Sequence, residues 1–388
     1  MANTLKQLTI EGYKSIQSLK DFELRPLNVL IGSNGAGKSN FVSFFRFLHE
    51  LIHQRLQTTV RQEGGADSFL HLGPKETPQL GGKLYFGNNG YEFTLVPSID
   101  GRFIFAKEQT YFRGDQGPIH TSLGYSHFEA NLKDQKDDPG RRGGQKGVPH
   151  YVFEAISNWV VYHFHDTSFN AGVRRLHAIN DDLSLRFNAE NLAPFLYRIF
   201  RTSPESYARI REVVRLAAPF FDDFALRPDP TNEGMIQLEW HQRGSDYPFR
   251  GHQLSDGTLR FICLATALLQ PEPPPTMLFD EPELGLHPYA LTLLGNLFRQ
   301  ITSGPFPDHQ AIISTQSAQL LNEFRPEDII VVERSDGHSQ FRRLRSEDLS
   351  EWLQDYSMGE LWQKNVLGAR PGDEHAPRFA LNGGDGKL

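Results

Sequence analysis

The sequence predicts a mixed α/β fold organised around a strand, a glycine-rich loop and a helix, and three observations carry that reading. A continuous apolar run at 27–31, LNVLI, leads into GSNGAGKS at 32–39, and that loop leads into a stretch with Phe41, Phe44, Phe45, Leu48, Leu51 and Ile52 on a helical period. Segments between residues 60 and 130, such as GKLYFGNNGYEFTLVPS, alternate apolar and polar residues around Asn-Asn-Gly and Asp-Gly turns, the pattern of an antiparallel meander. From 251 onward α and β patterns alternate again, down to DIIVVE at 328–333.

The composition sets bounds on what the chain does. Its 388 residues suggest two or three lobes, and 38% apolar residues with 34 glycines exclude a wholly disordered or collagen-like chain. Lys and Arg number 40 against 47 acids, a net charge of −7, so a chain-wide basic signature for nucleic acid is missing. The single Cys263 excludes a disulfide scaffold and a Cys-based zinc site, and fits a reducing compartment. No stretch approaches the ~18 apolar residues of a membrane span, and the opening MANTLKQLTIEGYKSI lacks the apolar core of a signal peptide. The expectation is a soluble, cytoplasmic protein with no membrane partner.

Along the chain, residues 8–10 and 22–24 read as short strands ahead of LNVLI. Residues 133–147, KDQKDDPGRRGGQKG, contain no apolar side chain and read as an exposed loop, with three aspartates diluting five Lys and Arg. A helix and a strand follow at 151–166, then a helical hairpin at 188–221. Asn188 or Asn191 is placed to cap its first helix, and Ser203-Pro204 fits the cap and first turn of the second. Arg198, Arg201, Arg209, Arg211 and Arg215 there form either a solvated face or a polyanion surface. Sustained heptads are absent, which excludes long coiled-coil arms. The expected organisation is 1–58 for the first part of a nucleotide-binding core, 59–132 for an antiparallel β subdomain and 133–150 for a flexible loop. A helical lobe at 151–250, the second part of the core at 251–367 and a flexible tail at 368–388 complete it.

Gly32-Ser33-Asn34-Gly35-Ala36-Gly37-Lys38-Ser39 matches G-x-x-x-x-G-K-[ST] in the context that such a loop requires, between a buried-type strand and an amphipathic helix. Glycines let consecutive N–H groups wrap phosphates, Lys38 adds positive charge at the β/γ oxygens and Ser39 offers a hydroxyl to Mg²⁺. The helix that starts there aims its positive dipole end at the same anion. The ligand expected is a nucleoside triphosphate with Mg²⁺.

At 275–288, PTMLFDEPELGLHP, a short apolar strand ends in Asp280 and Glu281. Beside a phosphate loop, Asp280 is placed to hold Mg²⁺ and Glu281 to polarise the attacking water as general base. His163, His165 and Asp166 in YHFHD are either a partial metal set or hydrogen-bonded structure. The phenylalanines fall mostly at core periods rather than between basic residues, which argues core rather than base stacking.

Between the loop and the acid pair stands Leu254-Ser255-Asp256-Gly257-Thr258, ahead of LRFICLATALLQ. A phosphate loop, an LS-x-G-x signature and then a strand ending Asp-Glu resemble, in that order, the ABC-type ATPases. GYKSI, GSNGAGKSN and DEPELGLHP resemble their SMC/RecF/OLD-like branch, and HFHDTS, QLSDGTLRF, STQS and YSMGELWQKNVLGARP are similar to a group of bacterial predicted ATPases in it. The resemblance implies a P-loop, ABC-type head with a mixed sheet, an antiparallel β subdomain and a short helical insertion replacing any coiled coil. It extends the nucleotide-binding set from Gly32–Ser39 to Asn40, and it implies a head-to-tail homodimer in which Ser255 and Gly257 of one protomer complete the γ-phosphate cage of the other.

Departures from the family pattern are visible too. The family usually carries a His after the next strand to sense γ-phosphate; AIISTQS puts Gln316 there, a neutral amide that donates a hydrogen bond without a charge. Glu283 and His287 stand where the family's loop Asp is usual. Lys14 in GYKSI is a nucleotide contact or a solvated lysine. DIIVVERSDG resembles the first strand of a TOPRIM nuclease at Glu333, but the stretch from there to Leu388 is too short for that domain, so any nuclease is expected to belong to a separate protein. Three uses of the engine are expected to compete. They are DNA repair or processing with duplex DNA as partner, the sensor of an anti-phage or toxin–antitoxin system holding a separate effector nuclease, and a non-hydrolysing ATP-dependent scaffold.

Overall fold

The structure, a computed structural model, describes residues 4–114, 117–138, 146–303 and 309–368. The chain opens with β1 (Gln7–Tyr13), β2 (Ile16–Glu23) and β3 (Leu27–Ile31), followed by α1 (Lys38–Ile52) and α2 (Leu56–Gln62). Four antiparallel strands come next: β4 (Leu80–Phe86), β5 (Asn89–Pro97), β6 (Phe103–Gly114) and β7 (Gly117–Gly124). Then come α3 (Leu132–Gln135), α4 (Val148–Ser157), β8 (Trp159–Tyr162), β9 (His177–Ala178), α5 (Leu192–Thr202) and α6 (Pro204–Ala217). Short strands β10 (Phe221–Phe224), β11 (Met235–Ile236), β12 (Glu239–Gln242) and β13 (Pro248–Arg250) precede α7 (Asp256–Leu269). The last third contains β14 (Thr276–Asp280), α8 (Pro288–Ser303), β15 (Gln310–Thr315), α9 (Ala318–Leu321), β16 (Ile329–Ser335) and β17 (His338–Arg343). It closes with α10 (Ser346–Leu349), α11 (Trp352–Asp355) and α12 (Met358–Gln363).

The central sheet runs β17-β16-β3-β15-β14-β8, parallel except for β17. Its apolar runs are continuous because both faces are covered. Val29 and Ile31 face one core with α5 to α8, whereas Leu30 faces the other with α1 and the antiparallel lobe. Helix α7 carries an unbroken buried run from Leu259 to Leu269, and the lone Cys263 lies within it. Helix α1 buries the phenylalanines whose period the sequence displays, with Phe45 5.1 Å from Trp159 and Phe44 5.1 Å from Tyr13 between ring centroids. Among the described residues no helix is long and apolar enough to cross a membrane.

Several expected boundaries shift. β1 and β2 belong to the antiparallel sheet, ordered β2-β1-β4-β5-β6-β7, so the division at 58/59 cuts through that sheet. The reason is register: Leu8 pairs with Leu84 and Ile10 with Gly82, a long-range match that no local pattern displays. Similarly β8, expected in the helical lobe, is the edge of the central sheet beside β14. The loop expected at 133–150 ends earlier, because α4 begins at Val148 with Pro149 in its first turn, and Val152, Phe153 and Ile156 bury its face. Its residues 139–145 lie outside the described residues, as does the expected tail beyond Gly368. In the hairpin, Asn191 stands at the cap of α5 but spends its side chain on the preceding loop, through Asp181 O and Ser184 O at 2.9 Å each.

The C-terminal segment packs onto α9 through a glycine. Gly359 N–H donates to Asn322 Oδ1 at 2.7 Å, and a Cβ there would stand 2.3 Å from the Ala318 carbonyl oxygen. Gly359→Ala is expected to cost about 1–3 kcal/mol, seen as a lower denaturant midpoint at unchanged slope.

Candidate functional site: a phosphate loop beside an acid pair

The loop at 32–39 leaves β3 under tight steric control. A Cβ on Gly32 would lie 2.3 Å from the Val332 carbonyl oxygen, and one on Gly37, whose φ is +116°, would lie 2.0 Å from Ser339 Oγ. Only glycine meets both demands at Gly37. Three polar contacts brace the loop from behind: Asn40 Nδ2 to Ser15 Oγ at 2.7 Å, Ser15 Oγ to Ser339 Oγ at 2.7 Å, and Ser339 Oγ to Ala36 O at 2.6 Å. Asn40, expected among the nucleotide-binding residues, therefore points its amide at the loop's support. Lys38 is buried and donates from Nζ to Gly32 O at 2.7 Å and Ser33 O at 3.1 Å. Burial lowers its pKa, opposed by the charges of Glu281, Asp280 and Glu283. Asn34 and Gly35 at the tip and Ser39 at the helix start are exposed.

Strand register brings the acid pair alongside. Ser314 of β15 pairs with Leu30 on one side and Asp280 on the other, so β3, β15 and β14 end level. Two strand spacings, about 10 Å, separate the strand that feeds the loop from the strand that ends in the acids. Ser314 Oγ donates to Asp280 Oδ1, His165 Nε2 donates to Asp280 O at 2.8 Å, and Glu281 N–H donates to Ser314 O at 2.9 Å. Glu281 holds a left-handed φ of +46°, a strained conformation for a non-glycine residue. Gln316, the first residue past β15, donates from its side-chain amide to Glu281 Oε1 and from its backbone N–H to Glu283 Oε1 at 2.7 Å. Burial raises the Glu283 carboxyl above its usual range, opposed by hydrogen bonds from the Gln316 backbone and the Thr315 side chain.

The signature lies on the neighbouring helix. Ser255 caps α7, its Oγ accepting the Thr258 N–H at 3.2 Å. Gly257 meets the loop that follows the acids, and a Cβ there would sit 2.2 Å from Gly285 O. Neither Ser255 nor Gly257 hydrogen-bonds to residues 32–40 of its own chain. Two buried arginines fix this region. Arg174 donates to Thr167 O at 2.9 Å, to Leu254 O at 3.3 Å and to Asp256 Oδ1 at 2.7 Å. Arg260 donates to Phe164 O at 2.9 Å, His165 O at 3.1 Å and Leu284 O. A cleft of about 100 Å³ beside the signature is lined by Ser255, Gly257, Thr258, Leu286, His287 and Ala290 among others.

Thus Lys38, Asp280, Glu281 and Gln316 gather at the C-terminal ends of three neighbouring interior strands, while Ser255 and Gly257 stand apart from the loop of the same chain. Lys14 turns away to Glu63 at 2.9 Å and lies against the Tyr13 and Phe69 rings. His165 is spent on the Asp280 carbonyl and His163 stacks on it at 4.0 Å; among the described residues no group of three or more His, Cys, Asp or Glu is arranged to hold a metal. The arginine face of the hairpin is partly neutralised: Arg211 pairs with Asp223 at 3.2 Å and Arg215 with Asp222 at 2.8 Å. Sequence reasoning missed Ser339, Ser314, Arg174 and Arg260. Of these Arg260 stands inside the signature segment QLSDGTLRF, and the others act across long chain separations.

Solved structures share this fold. The chain is similar to an SMC head bound to the C-winged helix domain of ScpA, at 16% identity and a TM-score of 0.56, with 88% of this chain and 98% of that one covered. It is also similar to the SMC head domain with an extended coiled coil from Pyrococcus furiosus, bound to the C-terminal domain of ScpA, at 15% identity and a TM-score of 0.55, covering 90% and 98%. The SMC head with a coiled coil and joint from Pyrococcus yayanosii gives 12%, 0.52, 91% and 99%. A curated relative, urease accessory protein 2 of Cryptococcus neoformans, is 26% identical over 152 residues, 38% of this chain; the match spans 11% of that relative's length. The family described as "AAA domain, putative AbiEii toxin, Type IV TA system" matches residues 129–322, half of the chain, a span that holds the signature, the acid pair and Gln316. The family match over half of its length shows that the chain belongs to this AAA family, and its fold is that of the SMC head domains.

Proposed function

We propose that the chain binds and hydrolyses ATP as a head-to-tail homodimer and uses the cycle as a partner-gated switch. The observation that carries this reading is the shared row of strand ends at which the phosphate loop, Asp280, Glu281 and Gln316 meet. Lys38 replaces its loop carbonyls with phosphate oxygens when nucleotide enters. The oxygen donors Ser39 and Asp280 suit a hard cation, so these two would hold Mg²⁺, which would supply charge neutralisation to the phosphates. Glu281 takes the proton of the attacking water. Ser255, exposed at the N-terminus of α7, offers its hydroxyl and the helix dipole to the partner's γ-phosphate. The exposed placement of Ser255, away from its own loop, supports a role in trans.

For the biological use, the family description and the charge pattern favour the toxin–antitoxin or defence reading, with a separate effector such as a nuclease held by the closed dimer. The hairpin that would offer a DNA surface pairs Arg211 and Arg215 with Asp223, Asp222 and Glu212, and the net charge is −7. Turnover by the purified protein is therefore expected to be slow and unchanged by duplex DNA; DNA stimulation that vanishes in Glu281→Gln and falls steeply with salt would replace this reading with a DNA-processing one.

The residue roles have their own outcomes. Lys38→Ala is expected to abolish binding of a fluorescent ATP analogue. Glu281→Gln should keep binding, lose at least ~100-fold in turnover and accumulate as an ATP-dependent dimer in size-exclusion chromatography. A wild type that dimerises with ATP yet shows no turnover above that of Glu281→Gln would leave a scaffold as the better account. Because Gln316 cannot carry charge to the γ-phosphate, Gln316→His should raise turnover several-fold, and an unchanged rate counts against that role.

A further inference from the structure

We propose that Glu283 is a positioning residue for hydrolysis: it holds the Gln316 backbone so that the Gln316 amide orients the Glu281 carboxylate. The inference rests on the ATPase reading and extends it to a residue that does not touch substrate. Glu281 stands just past β14, on a flexible side chain and a left-handed backbone. A general base of that kind needs a third group to fix its direction. Gln316 supplies it, since its amide donates to Glu281 Oε1.

Gln316 needs support in turn. The ladder between β15 and β3 ends at Thr315, so the Gln316 N–H lies beyond strand pairing. That N–H goes to Glu283 Oε1 at 2.7 Å. The turn after the acid pair makes this contact available, with Leu284 N–H reaching Glu281 O at 3.3 Å and Leu286 N–H reaching Glu283 O at 3.1 Å. Residues 281–283 therefore carry both the base and the anchor of the group that directs it. Among the described residues Glu283 forms no ion pair with Lys, Arg or His, and its second oxygen is shut from solvent, with the Thr315 side chain beside the carboxyl. The role needs an acceptor rather than a charge, and the turn delivers that acceptor to an N–H that lies beyond strand pairing.

The test uses the full-length chain and four variants, Glu283→Ala, Glu283→Gln, Gln316→Ala and Glu283→Ala with Gln316→Ala, under steady-state ATP turnover. Affinity for a fluorescent ATP analogue is measured on each. Glu283→Ala is expected to lower kcat about tenfold or more, with KM and analogue affinity within about twofold of wild type. Glu283→Gln, which keeps an acceptor for the Gln316 N–H, should restore most of kcat. In the Gln316→Ala background Glu283→Ala should cost nothing further, because the two act in one chain. Independent, multiplying losses would overturn the proposal, and so would a Glu283→Ala loss of analogue affinity that matches its loss of turnover. A wild type that binds the analogue yet shows no turnover sensitive to Glu281→Gln would overturn the hydrolytic reading, and this inference with it.

Discussion

Three parallel strands end level because Ser314 pairs at once with Leu30 and with Asp280, and the rest of the site is built outward from that row. A parallel ladder fixes register along its whole length, so the loop after Leu30, the acids after Phe279 and the amide after Thr315 cannot drift relative to one another. Burial on both faces makes the register costly to change, since a slip of one residue would carry Val29 and Ile31 into the core that holds Leu30. The central sheet positions the chemistry, and the loops only complete it.

Contacts behind the chemistry are as specific as those in front. Ser15 and Ser339 reach the phosphate loop from the antiparallel lobe and from β17, on opposite ends of the chain. Arg260 ties the signature helix to the end of β8 and to the loop after the acids, entirely through backbone carbonyls. Burying a guanidinium without a carboxylate is expensive unless its N–H groups are satisfied. Here they fix three segments to one plane. Gly257 lets the same segments touch, since a Cβ there would run into the Gly285 carbonyl, and Gly285 itself takes a φ of +73° that favours glycine.

Much of this was legible in sequence because it is local. The phosphate loop, its flanking strand and helix, the acid pair at a strand end and the capped signature helix all depend on neighbours within a few residues. The illegible part depends on distant partners. Nothing near Gln7 announces that β1 pairs with β4 rather than lying in the nucleotide core. Nothing near Ser339 announces the back of the loop, because Ser15 is 324 positions away. The arginine face of the hairpin reads as basic only until Asp222 and Asp223 fold back onto it. Lys14 reads equally as a nucleotide contact or a solvated lysine until Glu63 is seen beside it.

Cys263 gives the molecule a practical chemistry of its own. The thiol lies inside α7, and burial pushes its pKa up to about 12. At neutral pH almost none of it is thiolate, the form that reacts with maleimides, disulfides or peroxide. The native chain therefore behaves toward thiol reagents as though it had no cysteine. A single cysteine placed on its surface would be labelled alone, and crosslinks between two protomers would report only the positions chosen for them.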